Sequence, residues 1–213
     1  MEPTTISDQE VIERFRRIFF KHWLVRRKTW LGTHIVKYPT DLFIYQMLIY
    51  KHRPDIIIET GAYWGGSALF FSSMCDLVGH GEVISVDIRA RTDRPQHPRL
   101  TYIIGRSTGY DTLLKLDEKV AGRTGMVFLD SDHRAFHVKR ELARYQKYVG
   151  LGQYLVVEDT TIDGHDLGFE GYIGPKEAVD WFLARVKNFK HVPDADRVLG
   201  LSQNAEGYLQ RIS

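Results

Sequence analysis

Short, continuous apolar runs alternate with longer amphipathic segments, and this alternation limits the fold of the chain more than any other feature of its sequence. Five runs predict strands, at 55–60, 82–87, 100–104, 125–130 and 154–158. Amphipathic segments predict helices near 40–52, 67–77, 109–120, 135–148 and 175–186. Runs such as DIIIET are typical of strands that are buried on both faces of a parallel sheet. The sequence therefore predicts an α/β fold with a mostly parallel, doubly wound sheet.

The two ends of the chain fall outside this alternation. From Ser7 to about Lys28, apolar side chains recur at helical spacing among basic ones, which predicts an appended amphipathic helix. Its basic residues indicate a solvated face or an oligomer contact rather than a lipid or nucleic-acid site. The tail from about Arg197 to Ile212 predicts an antiparallel strand pair that turns at 204–207. We therefore expect a helical extension over residues 1–30 and one α/β domain over residues 31–213.

Composition excludes several classes of protein. The 213 residues are 43% hydrophobic and 26% charged, which is typical of a globular chain rather than a disordered one. A formal net charge of +2 gives no overall field for binding nucleic acid. The single cysteine, Cys75, cannot form an internal disulfide and fits a reducing compartment. Without a long apolar stretch or a signal pattern, the sequence predicts a cytoplasmic protein with no membrane span.

Glycines and a carboxylate follow the first two predicted strands, where ligands bind in open α/β sheets. The first strand leads into GAYWGGS, residues 61–67, whose glycines allow tight turns and close backbone approach. This segment lacks the G-x-G-x-x-G spacing of a dinucleotide site. The second strand ends at Asp87, whose carboxylate can accept both hydroxyl protons of a ribose. A ribose site without a pyrophosphate site indicates S-adenosylmethionine. Alternatively, the glycine segment is an ordinary turn and Asp87 is a solvated strand end.

Acidic residues follow the fourth and fifth predicted strands. Asp130 ends one strand, and Glu158 and Asp159 end the other. If the two strands are neighbours, these three carboxylates crowd together and require a cation, which predicts Mg²⁺ or alternatively Mn²⁺ or Ca²⁺. His133, three residues beyond Asp130, is the leading candidate for a general base, and His137 is its competitor. Alternatively, the three carboxylates are solvated loop residues without a metal, and His133 caps a helix.

At these residues the sequence resembles two related groups of class I methyltransferases. Residues 61–68, GAYWGGSA, are similar to the first motif of the metal-dependent catechol-type O-methyltransferases. The whole chain resembles the bacterial family named for cephalosporin hydroxylase, which includes sugar O-methyltransferases that act on macrolides and rhamnosyl lipids. This second resemblance covers about residues 30–212, through KYPTDLFIYQMLIYKHRPDIIIETG, GGSALFF, VISVDIR, VFLDSDH, YLVVEDT and GYLQR.

The resemblance implies a Rossmann-like class I methyltransferase domain that moves a methyl group from S-adenosylmethionine to a hydroxyl. It implies cofactor contacts at Glu59, Gly61, Tyr63, Ser67, Asp87, Ser107 and Asp130. It implies metal ligands at Asp130, Glu158 and Asp159, and catalytic roles for His133 and Asp130. The catechol-type enzymes carry lysine at the base position and asparagine at the last metal position. Because this sequence departs from them at both, a catechol acceptor is disfavoured.

The acceptor and the assembly are less constrained. The resemblance favours a small-molecule sugar hydroxyl of a secondary metabolite, such as an antibiotic, or of a glycolipid, with a polyphenol second. The loop DGHDLGFEGYIG, residues 163–174, is either a lid over the substrate or a flexible connector. The aromatic and basic N-terminal helix favours a homo-oligomer. Two alternative functions are an iron oxygenase and a non-catalytic, oligomer-forming nucleotide-binding protein; all-oxygen ligands disfavour the oxygenase.

Overall fold

A computed structural model describes residues 6–21, 28–162, 173–193 and 201–213. The helices are α1 (Asp8–Lys21), α2 (Pro39–His52), α3 (Gly66–Val78), α4 (Tyr110–Val120), α5 (Ala135–Tyr145) and α6 (Pro175–Leu183). The strands are β1 (Thr29–Trp30), β2 (Thr33–His34), β3 (Ile56–Thr60), β4 (Glu82–Asp87), β5 (Leu100–Ile104), β6 (Gly125–Leu129), β7 (Tyr154–Val157), β8 (Phe189–His191) and β9 (Tyr208–Arg211).

Seven strands form the central sheet, in the order β5-β4-β3-β6-β7-β9-β8. Strands β3 to β7 pair in parallel, and β9 pairs antiparallel with both β7 and β8. The chain moves outward from β3 through β4 to β5, and then returns to lay β6 on the other side of β3. Because the direction of winding reverses there, the switch point of this open sheet lies between β3 and β6.

Helices cover both faces of the sheet. Successive residues of β3 point to opposite faces, so Ile57 packs in the core with side chains of α2 and α3, whereas Ile56 and Ile58 pack in a second core with side chains of α4, α5 and α6. Every residue of β3, β6 and β7 is buried, as the continuous apolar runs predict. The mostly parallel, doubly wound sheet is confirmed.

The C-terminal strand pair is present, but its first strand comes earlier than predicted. It joins β8 to β9, with Lys190 opposite Gln210. Residues 194–200, where the prediction placed the start of the pair, lie outside the described residues. The segment just before β9 does not pair as a strand, because Ser202 and the backbone N–H of Gln203 bond the buried carboxylate of Asp41 in α2. A two-stranded hairpin, β1 with β2, was not predicted.

The predicted N-terminal helix is α1, which begins near the predicted residue, and residues 22–27 lie outside the described part of the chain. Phe19 is buried and stacks on Tyr38, with the ring centroids 4.1 Å apart. Arg16 donates a hydrogen bond to the carbonyl of Ser202 at 3.1 Å. The helix therefore contacts the α/β domain, and the division of the chain at residue 30 stays a prediction. Among the described helices, none has the length and apolar character to span a membrane.

Candidate active site

Three neighbouring strands end at one edge of the sheet and place the main functional segments side by side. Thr60, Leu129 and Val157 are register partners at the ends of β3, β6 and β7. The residues that follow them are Gly61, Asp130 and Glu158. Because β6 and β7 are parallel neighbours, the acidic residues that follow them lie side by side. The sequence predicted this arrangement for the case that the two strands are neighbours.

The glycine-rich turn packs too closely for any larger side chain. Gly61 has a φ of +90°, and a Cβ atom there would lie 1.9 Å from the carbonyl oxygen of Asp130. A Cβ atom on Gly66 would lie 2.2 Å from the carbonyl oxygen of His34. Tyr63 also has a left-handed φ, of 47°. The first glycine thus brings β3 against β6, and the other brings α3 against the β1–β2 hairpin.

A cavity opens beside this turn. It is lined by residues 34–37, by most of the 61–67 turn and by Asp130. Gly61, Tyr63, Ser67 and Asp130 are predicted cofactor residues, and the structure brings these four together. The 34–37 segment is a lining that the sequence analysis missed, since nothing in a loop sequence shows which strand end it will cover.

Asp87 holds the turn from the end of β4. Its Oδ2 accepts a hydrogen bond from the backbone N–H of Tyr63 at 2.8 Å and lies 2.8 Å from an Nη atom of Arg94. Its Oδ1 accepts a hydrogen bond from the backbone N–H of Arg89 at 2.7 Å. The buried Arg94 also donates to the carbonyl of Tyr63 at 3.0 Å. Asp87 therefore fixes the turn, and its predicted contact with a ribose stays a prediction.

Two other predicted cofactor residues lie outside this cavity lining. Glu59 is fully buried in β3, where the hydroxyl of Ser85 donates a hydrogen bond to its Oε2 at 2.6 Å. Burial raises the pKa of Glu59. Ser107 is buried beyond β5, with its Oγ 3.0 Å from Nε2 of His137. Direct contacts of Glu59 and Ser107 with a cofactor stay predictions.

The acidic edge contains a compact group that has the donors for a metal ion. Asp130, His133 and Asp159 each offer a ligand atom, and these atoms all lie within 4.8 Å of one another. Nε2 of His133 lies 3.2 Å from Oδ2 of Asp159 and 4.0 Å from Oδ1 of Asp130. His137 instead lies near Ser107 and Ser131. Of the two histidines proposed as the base, the structure thus places His133 at the acidic edge.

Glu158 faces a different partner. It is buried, and its Oε2 accepts a hydrogen bond from Nζ of Lys37, which also bonds Oδ2 of Asp130. The three predicted metal ligands are therefore divided, since Asp130 and Asp159 join His133 while Glu158 is bonded to Lys37. Burial and repulsion from Asp130 raise the pKa of Glu158, although Lys37 opposes the shift. Burial lowers the pKa of Lys37, but the surrounding carboxylates outweigh this effect and raise it.

The segment before β9 holds Asp159 in place. Asp159 has a left-handed φ of 58°, and its N–H donates to Oδ1 of Asn204 at 2.8 Å. The amide of Asn204 also donates to the hydroxyl of Tyr45 at 2.6 Å. Thr160 adds a bond to the carbonyl of Ala205 at 2.6 Å. These supports were missed, because no pattern links a C-terminal asparagine to a residue 45 positions earlier.

Most of the predicted lid lies outside the described residues. Residues 163–172 belong to that part of the chain. The two remaining residues lead into α6, and the carbonyl of Ile173 accepts a hydrogen bond from the N–H of Ala135 at 2.9 Å. The lid and the connector therefore both stay predictions.

Solved structures with a similar fold include one of CmcI and one of a putative O-methyltransferase. A structure of CmcI with Mg and SAM has a TM-score of 0.64 at 18% identity, covering 88% of this chain and 78% of its own. A putative caffeoyl-CoA O-methyltransferase from Staphylococcus aureus has a TM-score of 0.59 at 17% identity, covering 96% of this chain and 90% of its own. At these identities the likeness concerns the fold, and it confirms the predicted class I methyltransferase fold.

Sequence comparison is more specific. A curated rhamnosyl O-methyltransferase of Mycobacterium leprae (strain TN) is 28% identical over 208 residues, covering 94% of this chain and 90% of its own. Residues 22–212 match the family described as rhamnosyl O-methyltransferase/CmcI. This match confirms the predicted family and the predicted class of enzyme, an O-methyltransferase: the chain belongs to the rhamnosyl O-methyltransferase/CmcI family.

Proposed function

We propose that the protein transfers a methyl group from S-adenosylmethionine to a sugar hydroxyl of a secondary metabolite or glycolipid, in a reaction that requires a divalent ion. The observation that carries this proposal is the Asp130, His133 and Asp159 group, which lies beside the glycine-turn cavity in a chain of this family. The names of the curated relatives, rhamnosyl O-methyltransferases, support a sugar acceptor.

The donor set at the acidic edge fits a divalent ion. Carboxylate oxygens, such as those of Asp130 and Asp159, suit Mg²⁺, Mn²⁺ and Ca²⁺. In addition, Oε1 of the buried Glu158 accepts no hydrogen bond from any residue that the structure describes. A buried carboxylate oxygen without a donor is costly, which supports a cation at this position. Asp130 and Asp159 would hold the ion, with Glu158 as the third predicted ligand. The CmcI structure that contains Mg and SAM supports the same pair of cofactors.

When bound, S-adenosylmethionine supplies the methyl group and the divalent ion polarises the acceptor oxygen. The chain would contribute position and proton transfer. Gly61, Tyr63 and Ser67 line the cavity that would take the methionine end of the cofactor. Asp87 would bind the ribose and Ser107 would lie near the adenine. Asp130 contacts both the cavity and the acidic group, so it would align the methyl donor with the acceptor.

His133 would act as the general base. Its Nε2 lies in the acidic group, 3.2 Å from Asp159, where an acceptor hydroxyl held at this edge would be within reach. A neutral imidazole can accept the proton through its ring nitrogen. Asp159 and Asp130 would stabilise the imidazolium that forms. An iron oxygenase is not favoured, because this group has one histidine and two carboxylates rather than two histidines and one.

Transfer of a radiolabelled methyl group tests this function. Purified protein would be incubated with labelled S-adenosylmethionine, Mg²⁺ and a panel of rhamnosylated lipids, glycosylated macrolides and polyphenols. We expect label in a sugar-bearing acceptor, and we expect chelation of the metal to abolish its transfer. Transfer only to a polyphenol would overturn the sugar assignment, and full activity after chelation would overturn the metal requirement.

Several wider features belong to the same proposal. We infer a cytoplasmic homo-oligomer in which residues 1–30 form an extension of the methyltransferase domain at residues 31–213, and a role in antibiotic biosynthesis. Helix α1 supports association because it exposes the apolar side chains of Val11, Phe15 and Ile18. Light scattering measures the mass in solution of the full chain and of a Phe15→Glu variant. We expect the full chain to form an oligomer and the variant to lose it.

A further inference from the structure

A buried lysine at the acidic edge has no part in the mechanism proposed for this site. Lys37 lies between β2 and α2, and its side chain is only 4% exposed. The neighbouring Ile35 and Tyr38 are also buried, so the chain on both sides of Lys37 is anchored in the protein. Because a buried ammonium is costly unless it is paired, the partners of Lys37 indicate what it does.

The ammonium of Lys37 uses one oxygen of each of two predicted metal ligands. It donates hydrogen bonds to Oδ2 of Asp130 and to Oε2 of Glu158. The second oxygens are left over: Oδ1 of Asp130 lies 4.0 Å from Nε2 of His133, and Oε1 of Glu158 accepts no hydrogen bond from the described residues. Since the two oxygens of a carboxylate can take different partners, each group can bind Lys37 and an ion at the same time.

The charges at this edge call for two cations rather than one. Glu59, Asp130, Glu158 and Asp159 carry four negative charges when ionised. Burying charge without compensation is strongly unfavourable. The ammonium of Lys37 supplies one positive charge and a divalent ion supplies two more, so together they compensate most of the negative charge. The ammonium and the ion are therefore complementary partners of the same carboxylates.

The bonds to Lys37 also set the direction of the two carboxylates. The last torsion of an aspartate or glutamate side chain is broad, so a carboxylate without a donor can rotate. Two neighbouring negative groups also repel each other, which would turn their oxygens apart. One ammonium bonded to both Asp130 and Glu158 opposes this rotation. Ligands that are already oriented bind a metal more tightly, because they need no rearrangement.

We propose that Lys37 is a positioning residue of the metal site. Its ammonium stays bonded to Asp130 and Glu158 while the divalent ion binds, and it holds the second oxygen of each carboxylate ready for that ion. This inference rests on the proposed function for its metal. Lys37 acts through the two carboxylates and has no contact with the reacting atoms.

Replacing Lys37 by a neutral side chain has two opposite effects on metal binding. Loss of a positive charge near the ion would by itself tighten binding. Loss of the bonds that orient Asp130 and Glu158 would weaken it. Because the carboxylates lie between the ammonium and the ion and reduce their repulsion, we expect the loss of orientation to dominate. The direction of the change thus separates positioning from a simple charge effect.

Binding of Mn²⁺ measures this direction without methyl transfer. Free Mn²⁺ would be followed by electron paramagnetic resonance during titration of cofactor-free wild type, Lys37→Met and Lys147→Met. Lys147 is a surface lysine paired with Asp117, so its replacement changes the net charge equally. We expect Lys37→Met to bind Mn²⁺ about tenfold more weakly or worse, and the control to stay within about twofold of wild type. Equal or tighter binding by folded Lys37→Met would overturn the proposal.

A double-mutant cycle with Glu158→Gln distinguishes positioning from a general loss of structure. If Lys37 acts through Glu158, its replacement should matter less once that carboxylate is gone. We expect Lys37→Met to weaken Mn²⁺ binding by only about threefold in the Glu158→Gln background, against about tenfold in wild type. Equal factors in the two backgrounds would mean that Lys37 does not act through Glu158, and would overturn the proposal.

Chemical labelling of wild type provides a test if Lys37→Met does not fold. Lysines would be acetylated with acetic anhydride, with and without Mn²⁺, and located by mass spectrometry. We expect Lys37 to stay unmodified in both samples, because its ammonium keeps both carboxylates when the ion binds, and we expect the exposed Lys147 to be modified in both. Modification of Lys37 on addition of Mn²⁺ would show that the ion displaces it and would overturn the proposal.

These measurements separate the inference from the proposed function. If Mn²⁺ binds to wild type and responds to Lys37→Met as expected, but no acceptor is methylated, only the proposed function fails. If methyl transfer is found and Lys37→Met binds Mn²⁺ as tightly as wild type, only the role of Lys37 fails. Absence of Mn²⁺ binding by folded wild type would overturn both, since both require the metal site.

Discussion

His133 and His137 are one helical turn apart in the sequence, and the structure gives them different surroundings. His133 lies 3.2 Å from Asp159 at the acidic edge, whereas His137 lies 3.0 Å from Ser107 and 3.4 Å from Glu141. Spacing alone could not separate them, because both follow Asp130 within two turns. The distinction depends on where α5 begins, which is a property of the folded chain.

Replacing His133 therefore tests the base directly. We expect His133→Gln to lower kcat by about 100-fold or more, because the proton acceptor is lost, and to change the Kd for S-adenosylmethionine by less than about threefold. His137→Gln is the matched control, and its kcat should fall by less than about tenfold. Steady-state kinetics and calorimetry measure both. Normal turnover by His133→Gln would assign the proton transfer to another group.

Gly61 tests the close approach of β3 and β6. Gly61→Ala introduces a Cβ atom that would lie 1.9 Å from the carbonyl of Asp130, at a φ of +90°. Gly122 has a φ of +76° with no atom within 4 Å of an added Cβ, so Gly122→Ala isolates the cost of the backbone conformation. We expect the free energy of unfolding to fall by about 1 kcal/mol in the control and by more than about 3 kcal/mol in Gly61→Ala. Equal losses in urea denaturation would contradict the close contact.

Among the helices and strands, the sequence predicted best those elements whose local hydrophobic pattern matches their environment in the fold. Strands β3, β6 and β7 are buried on both faces, so their apolar runs are continuous and easily recognised. The position of β8 was not recognised, because three residues flanked by turns carry little pattern of their own. Its pairing with β9 depends on long-range contacts that no window of sequence contains.

The contribution of the C-terminal segment to the site was hidden for the same reason. Asn204 accepts the N–H of Asp159, and Asp41 in α2 fixes the neighbouring Ser202 and Gln203. The carboxylates could be predicted because each directly follows an apolar strand. Their supports could not, since Lys37 and Asn204 reach the edge from distant parts of the chain.

Asn204→Ala tests this support. The variant loses the acceptor for Asp159 N–H and the bond to Tyr45, so we expect Mn²⁺ binding to weaken by about tenfold or more. Thr161→Val is the control, because it removes a 3.0 Å hydrogen bond to the carbonyl of Gln203 in the same segment but keeps the bond between Asn204 and the N–H of Asp159. Its Mn²⁺ affinity should stay within about twofold of wild type. Equal effects of the two variants would mean that the segment acts only through stability.

For the whole molecule, the buried carboxylates predict how stability depends on pH. Burial raises the pKa of Asp41 from 3.8 to about 6, although Ser202, Gln203 and Tyr208 oppose the shift by donating hydrogen bonds. A raised pKa means that the folded state holds the proton more tightly than the unfolded state. The contribution of Asp41 to stability is therefore greatest below pH 3.8 and is lost as the pH rises to about 6.

Asp41→Asn isolates this contribution. We expect the free energy of unfolding of wild type, relative to the variant, to fall by about 3 kcal/mol between about pH 4 and pH 7, which corresponds to a shift of about two pKa units. Any constant effect of the amide cancels in this difference. Urea denaturation across the pH range measures it, and parallel curves for the two proteins would show that Asp41 keeps an ordinary pKa.

The edge formed by β3, β6 and β7 joins the glycine-turn cavity to the acidic group. The most direct measurement is a calorimetric titration of the purified, ligand-free protein with S-adenosylmethionine in the presence of Mg²⁺, with NAD as the control ligand. We expect micromolar binding of S-adenosylmethionine and no binding of NAD. Failure of folded protein to bind S-adenosylmethionine, or equal binding of NAD, would contradict it.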